Sequence, residues 1–130
     1  MILLPLMLLG LARGAVPPPD TALLGRWWNS DGSVAVDVAP CGSRLCGKVV
    51  YAEKKQVDKA RRAGVARMLG LAVMRNFQGA GPGHWKGTVF VPERNREFRS
   101  TITRLASDQV KVEGCMLLIL CQHETWKRSR

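Results

Sequence analysis

Apolar side chains in this chain recur at every second residue, in short runs separated by turn-forming clusters. Val34, Val36 and Val38 alternate with Ala35, Asp37 and Ala39; Phe98, Ser100 and Ile102 alternate with Arg99, Thr101 and Thr103. Successive side chains of a strand point to opposite faces, so such runs belong to sheets with one face in a core and the other in water. Turn signals punctuate the runs at Ser30-Asp31-Gly32-Ser33, Pro40-Cys41-Gly42-Ser43, the Gly-rich stretch 79–83, Pro92 to Asn95 and Ser107-Asp108. Asp-Gly is a strong hairpin signal. The segments 23–29, 34–39, 45–53, 85–91, 97–105, 110–112 and 122–128 therefore predict an all-β domain of seven or eight short antiparallel strands, closed as a barrel or packed as a sandwich. Parallel α/β topology needs repeated crossover helices, and only one place has room for one. A chain of 130 residues with 46% hydrophobic content allows one domain with a sizeable core.

Residues 54–78 interrupt the strand rhythm as a basic insertion. Lys54, Lys55, Lys59, Arg61, Arg62, Arg67 and Arg75 crowd it. Val65, Met68, Leu69, Ala72 and Val73 recur at helical spacing, which predicts a short helix over about 65–75. A second, less well patterned helix is expected over 55–63. Gly64 and Gly70 act against the first of these. The apolar stripe reads as a docking face on the domain, with membrane-surface contact as the functional alternative.

Residues 1–11 are almost wholly apolar and are followed by Ala12-Arg13-Gly14-Ala15 and three prolines. That run is shorter than the ~20 residues a bilayer-spanning helix needs. It reads as an export signal over 1–14, cleaved after Gly14, followed by an extended lead-in over 15–22 and a single domain over 23–130. No later stretch reaches the length of a membrane-spanning helix. Localisation outside the cytoplasm follows, in the periplasm of a Gram-negative bacterium or secreted. Cleavage would remove one cation, Arg13, from a chain of net charge +10, leaving +9. So basic a protein is drawn to anionic surfaces at low salt.

The four cysteines form two close pairs, Cys41 with Cys46 and Cys115 with Cys121. Each pair flanks an expected turn, and an oxidising compartment favours disulfides. The local connectivity is preferred among the three possible, because a hairpin neck brings Cα atoms within the ~4.4–6.8 Å a disulfide needs. The rival is a zinc site from the same cysteines with His123. Spacings of four and five intervening residues suit the usual close pairing of structural zinc ligands less well.

Taken together, Gly25-x-Trp27, Asp31-Gly32, Cys41 with Leu45-Cys46-Gly47, Leu69-Gly70-Leu71, Trp85-x-Gly87, Pro92, Phe98, Gly114-Cys115 and Trp126-x-Arg128 resemble the bacterial domain-of-unknown-function family 2147. The resemblance covers about residues 23–128. It implies a small exported protein with an antiparallel, lipocalin-like β-barrel, and it brings no established enzymatic activity to carry over. Two features depart from the family pattern. Phe98 stands where a strand tyrosine is usual, and Asn95 replaces a turn glycine, whose left-handed backbone asparagine tolerates. The basic stretch 54–67 is this chain's own decoration.

Catalytic motifs are missing: no nucleophile elbow, no zinc-protease helix and no phosphate loop occur. Paired cysteines would leave no thiol nucleophile. His84 and His123 have no partner identifiable by spacing, and a hydrolase would need a cleft that gathers one of them with a carboxylate. Nucleic acid is disfavoured because residues 54–75 interleave no aromatics with their cations. No cofactor or metal is expected. The leading expectation is a non-enzymatic binder of a small apolar or amphipathic ligand, with an acid favoured by the positive charge. Trp28, Trp85, Trp126 and Phe98 are the expected ligand contacts. Trp27 and Trp28 are adjacent, so at most one of them faces inward. The alternative is an envelope-surface protein that docks on anionic lipid or polysaccharide through Lys54, Lys55, Lys59, Arg61 and Arg62.

Overall fold

The computed structural model describes residues 19–117 and 120–130. The expected signal segment 1–14 and the first part of the lead-in lie outside these residues. Of the extended lead-in expected over 15–22, Pro19–Ala22 instead forms a single 3-10 turn, which the fixed φ of proline accommodates at a first helical position.

Eight strands follow: β1 (Gly25–Trp28), β2 (Val34–Cys41), β3 (Arg44–Ala52), β4 (Ala72–Gly79), β5 (His84–Val91), β6 (Arg96–Ala106), β7 (Gln109–Leu117) and β8 (Leu120–Lys127), with one helix, α1 (Lys54–Arg62), between β3 and β4. Each strand runs antiparallel to the next, and β8 returns to β1 to close the barrel. Full closure removes the unpaired sheet edges that would otherwise template aggregation.

The β8–β1 seam is thin: Trp28 opposite Lys127 is the register pair there among the described residues. The C-terminal tail reinforces it. Arg128 donates to the carbonyls of Leu24 (2.6 Å) and Ala22 (2.9 Å), and its guanidinium lies 3.8 Å from the Trp27 ring centre. Burial, with repulsion from Arg104 second, lowers its pKa. Outside the barrel, Arg130 donates to the Tyr51 hydroxyl and to Glu53.

The turns after β2, β4 and β6 mark a closed end. Leu23, Trp27, Leu45, Phe77, Trp85, Ile102 and Val110 fill it, each at most 2% exposed. Such packing needs bare backbone in places. A Cβ on Gly87 would sit 2.6 Å from the Phe77 ring, and one on Gly47 would sit 2.7 Å from Val36 Cγ1. Trp27 Nε1 donates to Leu23 O at 2.9 Å. Trp85 Nε1 is buried without an acceptor among the described residues, a defect that costs about 1–3 kcal/mol and that the surrounding packing must offset.

The helical expectation over 65–75 is corrected: 72–79 is strand β4, and the helix lies at Lys54–Arg62. Gly64 (φ 101°) ends α1, and Gly70 (φ 84°) turns the chain back toward the sheet. Gly70 N then donates to Val49 O, and Val49 N to Leu71 O, so the segment zips onto β3. The apparent stripe splits accordingly. Met68 and Val73 are buried while Leu69 is 55% exposed. Helix α1 gains a Lys54–Asp58 pair one turn apart and places Lys59, Arg61 and Arg62 at its negative C-terminal end.

Both expected disulfides form, Cys41–Cys46 at the β2–β3 turn and Cys115–Cys121 directly across β7 and β8. All described cysteines are thereby paired, and the rival zinc site does not arise. Asn95 takes the left-handed backbone expected of it, at φ 52°.

Candidate functional site: a cup at the open end of the barrel

The opposite end of the barrel is hollow. A cavity of about 520 Å³ opens among the β1–β2 turn, the α1 segment, the β5–β6 turn and the upper part of β8. Ligand cavities commonly span ~300–1,000 Å³. Its walls follow from strand alternation: Val36, Val49, Val73, Val89 and Val112 face inward where the closed end carries rings and leucines. Ser100 and Gly114, small residues opposite each other on β6 and β7, leave further room.

One side of the cup is polar. Gln122, Glu124 and Trp126 alternate along β8 on its inner face. Glu124 Oε1 accepts from Trp126 Nε1 at 2.9 Å. Glu124 Oε2 accepts from the Ser30 hydroxyl at 2.6 Å and from Ser30 N–H at 3.2 Å. No Lys, Arg or His lies within ion-pair distance of this carboxylate among the described residues. The mouth is braced by Ser33, fully buried, whose hydroxyl accepts from Asn29 Nδ2 (3.0 Å) and Gln56 Nε2 (2.9 Å). That bond ties α1 to the β1–β2 turn.

The sign of the mouth opposes that of the chain. Asp31, Glu93 and Glu124 line it against a single arginine, Arg94, although the chain as a whole carries +10. Hydrogen bonding from Ser33, with Lys55 nearby, holds Asp31 below the usual carboxylate range. The positive charge lies instead on the outer surface. An acid drawn in by net charge, as composition suggests, would meet carboxylates at the entrance.

Of the four expected ligand contacts, the fold brings Trp126 and Phe98 to the cup. The other two need correction. Trp28 faces outward, 5.4 Å from the Tyr51 ring and 5.3 Å from the Arg130 guanidinium, because β1 is phased with its neighbour Trp27 inward. Trp85 belongs to the filled end, 1% exposed. Sequence reasoning missed Glu124 and Ser30. The signal lay in Gln122-x-Glu124-x-Trp126: polar residues sharing a face with a tryptophan argue against a dry core, yet they suit the wall of a wet cavity.

Of the expected surface cations, Lys54 pairs with Asp58 at 2.8 Å, and Lys55 approaches Asp31 (3.7 Å) and Glu53 (3.8 Å). Lys59, Arg61 and Arg62 are exposed with no ion pair among the described residues. His84 lies by the β4–β5 turn at the closed end, 3.4 Å from the Thr103 hydroxyl. His123 is at the cup rim but adjacent to Glu124 on β8, so the two side chains start toward opposite faces. No group of three or more His, Cys, Asp or Glu suited to a metal occurs among the described residues.

Comparison with known proteins agrees with this architecture. A family described as an uncharacterized protein conserved in bacteria, domain-of-unknown-function family 2147, matches residues 25–128. No curated protein sequence matches. Among solved structures, the Helicobacter pylori protein HP1028, described as belonging to the lipocalin family, is similar with a TM-score of 0.63 at 10% identity, over 83% of each chain. At that identity the likeness concerns the fold. Two disulfides and membership of a bacterial family are compatible with an exported protein.

Proposed function

The chain belongs to the bacterial domain-of-unknown-function family 2147, and from that premise we propose that it is an exported, non-enzymatic protein that binds one small apolar or amphipathic molecule. The observation that carries this reading is the contrast inside one barrel: seven large side chains fill one end, while the other keeps a cup of about 520 Å³. A barrel of eight strands is just wide enough for side chains to fill or for one small ligand. A cup kept open by valine, serine and glycine supplies apolar area worth roughly 25 cal/mol per Å² covered. Phe98 and Trp126 are the proposed aromatic contacts, and Glu124 and Ser30 the polar ones. The apolar N-terminal stretch is proposed to direct the chain to the periplasm or beyond.

Native mass spectrometry and organic extraction of protein purified from its own host test the reading. A copurifying small molecule, or an added one that quenches tryptophan emission stoichiometrically, is the expected result. A protein that retains nothing and titrates with no amphiphile overturns it.

A second reading rests on Lys59, Arg61 and Arg62, which face solvent with no ion pair among the described residues. It makes α1 a docking element for anionic lipid or polysaccharide at the envelope. Reversing the charge of these three residues should abolish co-sedimentation with phosphatidylglycerol vesicles at low salt; unchanged co-sedimentation ends this reading.

A further inference from the structure

Resting on the ligand-binding reading of the cup, we propose that its occupant carries a positively charged head, an alkyl-ammonium amphiphile, and that Glu124 is the residue that selects it. Three neutral donors hold the Glu124 carboxylate in place: Trp126 Nε1, Ser30 N–H and the Ser30 hydroxyl. They orient it and use about three of the four lone-pair sites a carboxylate offers. None of them neutralises its charge. Glu124 is half-buried; a ligand that covered it would take its charge out of water, which is costly without a compensating cation, and none lies within 4.0 Å among the described residues.

The missing counter-charge would therefore come with the ligand. The location suits it. Glu124 stands opposite Val112 in the β7–β8 register, on the inner wall and above the valine-lined floor. An ammonium at Glu124 leaves its alkyl chain to run down among Val36, Val49 and Val73. Asp31 is already paired with Lys55 at 3.7 Å; the remaining cup-lining charges are Glu93 and Glu124 against Arg94, a slight excess of carboxylate that favours a cation on approach. A fatty acid would instead bring its carboxylate against Glu124. The outer positive surface works against the cation only at long range, where salt screens it within about 8–10 Å.

The test uses three ligands with one chain and three heads: decylamine, decanol and decanoate, each below its micellar concentration, titrated into the mature protein at pH 7 by calorimetry and tryptophan fluorescence. Decylamine is expected to bind about tenfold or more tighter than decanol, and decanoate more weakly than decanol. Glu124→Gln keeps an acceptor for the Trp126 indole. It should bring decylamine to within about threefold of decanol, with the fold of the variant checked separately by its circular-dichroism spectrum and thermal melt. Decanoate binding as tightly as decylamine overturns the proposal and leaves the cup reading intact. So does an amine preference that Glu124→Gln does not diminish. Failure of all three ligands removes the cup reading itself, and the proposal with it.

Discussion

The two ends of this barrel are built from the same strands with the same alternation, yet one is solid and the other hollow. At the closed end the inward positions carry Trp27, Phe77, Trp85, Ile102 and Leu45. At the open end they carry valines, Ser100, Gly114 and a hydrogen-bonded polar row on β8. Strand periodicity decides which residues point inward. The volume of those residues, level by level, decides whether the interior is filled. The filled end anchors the molecule, through Arg128 over Trp27, so that the other end can be left unfilled at tolerable loss of stability.

That contrast is breakable. The largest expected effect is Trp27→Ala or Phe77→Ala, about 3–5 kcal/mol of destabilisation in urea melts, because a closed-end cavity appears. Val112→Ala, beside space that is already open, should lose about 1.5 kcal/mol, near the transfer of the two deleted carbon groups alone. Equal losses at the two ends would refute the division.

Next are the disulfides. Replacing Cys115 and Cys121 together by Ala, or Cys41 and Cys46 together, should each lose about 2 kcal/mol for so short a loop. The two should differ in function. Cys115–Cys121 braces the β7–β8 hairpin at the cup end, so its loss weakens ligand binding, whereas loss of Cys41–Cys46 at the closed end leaves affinity unchanged in the same titration.

Two glycines sharpen the comparison further. A Cβ on Gly87 would meet Phe77 at 2.6 Å and the Arg75 carbonyl at 2.8 Å, while on Gly114 its nearest neighbour is Ser100 Oγ at 3.3 Å. Gly87→Ala should lose about 1–3 kcal/mol by overpacking. Gly114→Ala should lose well under ~1 kcal/mol by comparison with such overpacking, and its effect should appear in ligand affinity. Thermal melts and titration of both variants decide it.

The smallest effect is electrostatic. Arg26 donates to Asp37 at 2.7 and 3.0 Å, and this bonding holds the Asp37 carboxyl below its ordinary value. In acid the folded state therefore binds fewer protons than the unfolded chain. The contribution is present above the unfolded pKa of about 3.9 and is lost as pH falls through the lower folded value. The pair is about half exposed, so the effect is slight. Asp37→Asn should flatten the acid limb of stability below about pH 4, measured by denaturation midpoints across pH.

Much of this was legible. Val34, Val36 and Val38 on one face of β2, and Phe98, Ser100 and Ile102 on one face of β6, follow from local alternation alone. The disulfides follow from turn placement. Strand β4 was not legible. Val65 to Val73 happen to repeat at helical spacing, and the bonds joining Val49 to Gly70 and Leu71 are long-range contacts that local patterning does not contain. The site was half legible. Trp126 and Phe98 lie in the cup, but the choice between Trp27 and Trp28 depends on the phase of one short strand, and Trp85 depends on which end it occupies.

The amino-acid order by itself determined an antiparallel sheet, its turns and the cysteine partners, because these depend on neighbours a few residues apart and on hard steric rules. Closure, and with it the inside, the hollow end and the unpaired charge of Glu124, was decided only when β8 met β1. Residues as distant as Ser30 and Glu124 share a hydrogen bond because the sheet curls, and no local rule measures curvature.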